Sequence, residues 1–182
     1  MFYRRISEDL QVALTLPQHA EALFDLTDRN RTYLKAWLPW LDATKSASDT
    51  KRFIESNLES FAKGTALNEV LLYQGSIAGV LGFNEIDTFN GIGQVGYWLG
   101  EAYTRRGLMT VAVADLIQLG FQDLRLQRVE IRCATENWRS RAIPERLGFQ
   151  HEGTLRNVER VGQRLHSHAV YGLLRSEFQA KD

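Results

Sequence analysis

The apolar positions of this chain change period along its length, and each change marks an element. Residues 11–16 alternate as a strand, and Pro17 then suits the first position of a helix whose short apolar stripe is Ala20, Leu23 and Phe24. A second helical stretch holds Leu34, Trp37 and Leu38 and stops at Pro39. Ser48 or Asp49 is placed to cap a third helix, with Phe53, Ile54, Leu58 and Phe61 on one side and Gly64 at its end. From 69 to 86 two β-rich runs flank Gln74-Gly75, which predicts a hairpin, and a strand over 93–99 is entered through Asn90-Gly91. Helical spacing is most regular at Met109, Ala112, Val113, Leu116, Ile117 and Phe121. Val129 to Ala134 alternates as a strand, a helix over 138–147 ends at Gly148, and strands over 149–156 and 165–174 finish the chain.

The order is therefore strand, two or three helices, three antiparallel strands, helix, strand, helix, two strands. A strand–helix–strand unit near 95–134 implies one parallel pairing inside a mostly antiparallel sheet. The class is α+β. No repeat, low-complexity segment or linker divides the chain, so residues 1–182 read as a single domain.

Composition narrows the function by exclusion. Lys plus Arg and Asp plus Glu number 22 each, a neutral balance that argues against a partner held by phosphate charge, so no direct nucleic-acid binding is expected. The single cysteine, Cys133, cannot build a disulfide framework and points to a reducing compartment, the cytoplasm. Charged residues from Arg4 to Asp25 leave no apolar segment for a signal peptide, and no run of 18 apolar residues spans a membrane.

Three motifs carry chemistry. Gly91-Ile92-Gly93-Gln94-Val95-Gly96 matches G-x-G-x-x-G, but a turn precedes it and a strand follows, the reverse of a dinucleotide site. It reads as a turn and a twisted or bulged strand. Thr104 to Thr110 opens the most regular helix; free backbone N–H groups, Gly107 and two arginines there make an anion site, set at the carboxyl end of two strands joined by one helix. Asn137 caps a helix with Ser140 one turn inside it, and Pro144 within that helix frees the carbonyl of Ser140. Cys133, mid-strand, reads as a small buried hydrophobe. His166 and His168 share a strand face but lack a third ligand nearby, so no metal is expected.

Taken together these residues resemble the Gcn5-related N-acetyltransferases, and most closely the RimJ/RimL branch that acetylates the N-termini of ribosomal proteins. The resemblance spans nearly the whole chain. It rests on Trp37-Leu38-Pro39-Trp40, Gly79 to Asn84, Gly96-Tyr97-Trp98-Leu99-Gly100 and Arg106-Gly107-Leu108-Met109-Thr110. It continues through Asn137 to Phe149, Glu152-Gly153 with Arg156, and Val170-Tyr171. It implies the acyl-CoA N-acyltransferase fold, a twisted mixed sheet flanked by helices, and acetyl-CoA as co-substrate. The pyrophosphate is expected on the backbone amides of Arg105, Arg106, Gly107, Leu108, Met109 and Thr110. Arg105 stands where this branch commonly has Gly, and its side chain is placed to pair with a phosphate.

The same resemblance implies the roles. Glu152 is the expected general base, with Glu85 the second choice, and Ser140 the acid that protonates the leaving thiolate. The backbone N–H of Leu99 is the expected oxyanion donor, and Asn137 is expected to bond the pantetheine arm. Trp37, Trp40 and Asn84 are expected to line the acceptor groove. The acceptor is the N-terminal amine of a protein, a ribosomal one by the resemblance, and the chain is expected to form a homodimer. Two alternatives stay open: a small amine (polyamine, antibiotic or amino acid) as acceptor, or a non-catalytic module that binds acyl-CoA.

Overall fold

The computed structural model describes residues 3–178. Strands β1 (Tyr3–Arg5) and β2 (Leu10–Leu14) are followed by helices α1 (Ala20–Arg29), α2 (Arg31–Leu34) and α3 (Ala47–Ala62). Strands β3 (Leu67–Tyr73), β4 (Ser76–Asp87) and β5 (Ile92–Leu99) lead into α4 (Leu108–Gln122). Then come β6 (Arg128–Ala134), α5 (Trp138–Arg146), β7 (Gln150–Val161) and β8 (Arg164–Leu174). All the strands form one sheet in the order β1-β2-β3-β4-β5-β6-β8-β7. Every pairing is antiparallel except β5 with β6, which α4 connects. This is the mixed α+β sheet that the sequence predicts.

Both faces of the sheet are covered. On one side Ala20 and Leu23 of α1 and Ile54 of α3 pack on Val80, with Trp98 and Ile77 against them. On the other, Met109, Ala112, Val113, Leu116 and Ile117 of α4 form the main core with Leu81, Phe83, Val95, Ile131 and Tyr171. Burying such side chains stabilises by about 1.5–3 kcal/mol each. That explains why the most regular apolar pattern in the sequence belongs to α4.

Several boundaries differ from expectation. Ser46, not Ser48 or Asp49, caps α3: its Oγ accepts from the Asp49 N–H, and the Asp49 carboxylate accepts from the Ser46 hydroxyl at 2.9 Å. Past Leu34, the stretch to Pro39 is not a helix. The four-residue α2 ends at Leu34, and residues 35–46 form a loop with one 3-10 turn at Leu41–Ala43. β1 carries no apolar pattern; Arg4 holds it, donating from both terminal nitrogens to buried Glu69 of β3 and from Nε to Asp115 of α4 at 2.8 Å. The G-x-G-x-x-G segment is a turn and strand, as expected. Gly91 has φ +67°, and a side chain at Gly93 would strike the ring of Phe83 and the side chain of Leu126.

Candidate active site

The site begins with a fork. β5 and β6 run parallel in register only from Ile92/Arg128 to Val95/Ile131. Beyond that point Gly96–Leu99 has no partner on β6, and a cleft of about 940 Å³ opens there. The Gly100 N–H donates to the Ala78 carbonyl on β4. Antiparallel alternation then turns the N–H groups of Trp98 toward β4 and those of Tyr97 and Leu99 toward the gap. The Leu99 N–H thus faces the gap.

Strand register also sorts the side chains by face. Tyr97 and Cys133 follow Val95 and Ile131 onto the α4 side, whereas Gly96, Trp98 and Ala134 lie on the α1 side. Glu130 pairs with Gly172 and Cys133 with Ala169, which places His166 and His168 on the α1 side too. The cleft is lined from both faces.

On the α4 side, Asn137 caps α5 as expected, its Oδ1 accepting from the Ser140 N–H at 3.2 Å. The carbonyl that Pro144 frees is not orphaned: the Tyr97 hydroxyl donates to the Ser140 oxygen at 2.9 Å. Ser140 Oγ lies 3.2 Å from Cys133 Sγ and 3.4 Å from the Tyr97 hydroxyl. Burial pushes the Tyr97 hydroxyl well above its ordinary value and raises the Cys133 thiol, so both keep their protons near neutrality. This is a closed hydroxyl–thiol cluster at the floor of the cleft.

At its entrance, α4 starts on Gly107 in the left-handed conformation, φ +75°. Arg105 has φ +63°, a conformation that costs a side-chain-bearing residue roughly 1–2 kcal/mol. A left-handed residue beside a right-handed one turns successive N–H groups toward one point, a nest for an anion. The chain therefore takes the glycine conformation at Arg105 without the glycine. Arg105, Gly107, Leu108, Met109 and Thr110 line the cleft. The Arg106 side chain does not; its guanidinium lies 5.7 Å above the Tyr73 ring, which leaves only its backbone for the role expected of it. Arg105→Gly is expected to raise the melting temperature by relieving that strain, yet to weaken acetyl-CoA binding about tenfold. Calorimetry and thermal denaturation read the two effects separately; a variant more stable and equally tight would remove Arg105 from the site.

On the α1 side, Trp37, Trp40 and Asn84 line the cleft as expected. Asn84 is the extra residue of a bulge in β4, and its carboxamide lies over Gly96, where a side chain would come within 2.2 Å of Nδ2. Neither Glu152 nor Glu85, the expected bases, is among the residues lining the cleft. Glu152 is a bulge residue beside Gly172, where Arg128 holds it with a bond of 2.6 Å. Arg128 opens β6, at the paired end of the fork and roughly 13 Å from its open end at 3.3 Å per residue. Glu85 sits across from Gln94, again below the split.

The carboxylates that line the cleft are Glu136 and Glu159, with His168 beside them. Glu159 Oε2 is 3.1 Å from His168 Nε2. Sequence reasoning missed this pair because it ended the strand at 156. β7 runs to Val161, past a second bulge that slips the register between Leu155 and Glu159. The hairpin turn at Gly162 was the available signal.

Arg128 also explains the state of Glu152. Its hydrogen bonds hold the carboxyl below the usual value of 4.5. A depressed carboxyl stabilises the fold above that value and loses its contribution as pH falls through the lowered one. With 40% of the Glu152 side chain exposed, the contribution is at most about 1 kcal/mol. Glu152→Gln is therefore expected to cost that much stability at pH 7, with the difference from the native chain vanishing in acid, and to leave turnover unchanged.

The comparisons with known proteins agree with this geometry. The family model described as acetyltransferase (GNAT) domain matches residues 12–150. The chain belongs to the GNAT acetyltransferase family. The ribosomal-protein-serine acetyltransferase of Escherichia coli K12 is 30% identical over 85% of this chain and 87% of its own. The solved structure of RimL, the ribosomal L7/L12 α-N-protein acetyltransferase in complex with coenzyme A through a coenzyme A–cysteine disulfide, superposes with a TM-score of 0.93. It is 26% identical and covers 97% of this chain and 99% of its own. The microcin C7 self-immunity acetyltransferase MccE, solved with acetyl-CoA and AMP, gives a TM-score of 0.88 at 27% identity over 93% of this chain and 94% of its own. Acetyl-CoA is the co-substrate of this GNAT enzyme, and the cleft, the nest and the free strand amides fit it. Among the described residues no helix is long and apolar enough to cross a membrane.

Proposed function

We propose that this enzyme acetylates the N-terminal amine of a protein, in the cytoplasm and on a ribosomal protein, by direct attack on the acetyl-CoA thioester. The observation that carries the proposal is a serine hydroxyl and a carboxylate on opposite faces of one sheet, joined through the fork. Ser140 belongs to the α4 side and Glu159 to the α1 side. The names of the E. coli relative and of RimL support a ribosomal acceptor.

On this reading Glu159, rather than Glu152 or Glu85, takes the proton from the amine, directly or through one water. An α-amine has a pKa of roughly 7.7–8.0, so a carboxylate is base enough. The Leu99 N–H stabilises the oxyanion as it forms. Ser140 gives its proton to the departing thiolate, while Tyr97 fixes the turn that carries Ser140.

MccE supports a second reading, a small nucleotide-bearing acceptor on the same fold. A panel of ribosomal-protein N-terminal peptides, polyamines, aminoglycosides and aminoacyl nucleotides, incubated with acetyl-CoA and read by mass spectrometry, separates the two. Acetylated peptide N-termini are expected; modification confined to small amines would select the second reading.

A further inference from the structure

Between α2 and α3 the chain crosses the open end of the fork. The crossing is anchored at two separated strands. The Trp40 ring lies 6.1 Å from that of Trp98 on β5, and the Trp37 ring 5.7 Å from that of His166 on β8. Both anchors are on the α1 face, and β6 lies between them in the sheet. Residues 35–44 therefore form a strap over the acceptor half of the cleft, with Trp37, Leu38, Pro39, Trp40 and Thr44 among its lining.

The strap has little regular structure of its own to hold it. Besides the two ring contacts and buried Leu41, Arg31, outside the cleft lining, holds it. Arg31 Nε donates to Asp28 Oδ1 at 2.7 Å, one turn back along the chain. One terminal nitrogen donates to the Leu41 carbonyl at 2.9 Å and the other to the Thr44 carbonyl. The planar guanidinium thus ties the far limb of the strap to its near end, and three donors in one fork are something a lysine ammonium does not reproduce. Asn30, its neighbour, accepts from the Glu101 N–H at 2.8 Å and donates to the Leu26 carbonyl at 2.8 Å, so the base of the strap is itself held.

We infer that Arg31 is a positioning residue for the acceptor: through the strap it sets the height of the tryptophan roof above Trp98 and so governs acceptor binding, without touching acetyl-CoA or the acceptor. The inference rests on the acceptor side proposed above, and deepens it. Under a strap fixed at both strands, an acceptor reaches the thioester as a slender chain end, entering between the roof and the strand, with its cationic amine drawn toward Glu136 and Glu159.

The test measures Arg31→Ala and Arg31→Lys beside the native enzyme, with a hexapeptide bearing a free N-terminal serine as acceptor. Both variants are expected to raise the acceptor KM about tenfold, with kcat and the calorimetric acetyl-CoA Kd within twofold. Amide hydrogen exchange is expected to speed up over 35–44 and to stay unchanged in β5 and α4. An unchanged acceptor KM in the folded variants overturns the inference. So does Arg31→Lys matching the native enzyme, since charge alone would then suffice, or acetyl-CoA affinity falling in step with acceptor affinity. Should Arg31→Ala fail to fold, Trp40→Ala, which leaves the Arg31 bonds in place, is expected to give the same KM split, and an unchanged KM there counts against the strap. A native enzyme that acetylates no peptide at all would instead strike the functional reading, and the exchange comparison would still decide whether Arg31 holds the strap.

Discussion

Glu159→Gln is expected to lower turnover by about 10²–10⁴-fold while acetyl-CoA binding stays within twofold of native. The size is that of a lost general base. The separation from binding follows from place: Glu159 is on β7, on the α1 face, whereas the nest at Arg105 and Gly107 and the Ser140 cluster lie toward α4 and α5. Glutamine keeps the shape and a hydrogen bond to His168, so a fall in turnover reports on the carboxylate itself. Steady-state kinetics with isothermal calorimetry check it. Native turnover in this variant would return the base to Glu85, Glu152 or water.

Gly107→Asp is expected to weaken acetyl-CoA binding roughly 30-fold or more. Space is not the reason, since a side chain there meets nothing within 4 Å. The backbone is: φ +75° costs a residue with a Cβ roughly 1–2 kcal/mol. Charge is the other: a carboxylate at the start of α4 occupies the positive end of the helix dipole, worth about 0.3–1 kcal/mol to an anion, and repels the pyrophosphate. At 1.4 kcal/mol per tenfold these sum to the stated factor. Gly107→Asn shares the conformational demand but not the charge, and is expected to lose less. Equal affinity in both would show that the diphosphate binds elsewhere.

The sequence made the fold legible wherever apolar periodicity was set by burial. α4, β5 and β6 could be read because one side of each is wholly apolar, and the two glycine motifs were separated correctly by asking what precedes and follows each. β1 was not legible, because Arg4 pairs with Glu69 and Asp115, 65 and 111 residues away. The strap was misread as a helix: Trp37 and Leu38 have helical spacing with Leu34, but the rings of Trp37 and Trp40 are spent on other strands. Glu159 was passed over for a related reason. Glu152 matched in its local surroundings, whereas the carboxylate that lines the cleft depends on a bulge between Leu155 and Glu159 that no local pattern announces. Tyr97 was visible only as part of a strand. Its partner, the carbonyl of Ser140, was nevertheless foretold by Pro144.

The most direct measurement offers the native enzyme acetyl-CoA and one peptide carrying both a free α-amine and an internal lysine, with tandem mass spectrometry to locate the product. The account predicts a single acetyl group on the α-amine and no reaction of the same peptide with its N-terminus blocked. Acetylation of the lysine, or of the blocked peptide, would contradict it.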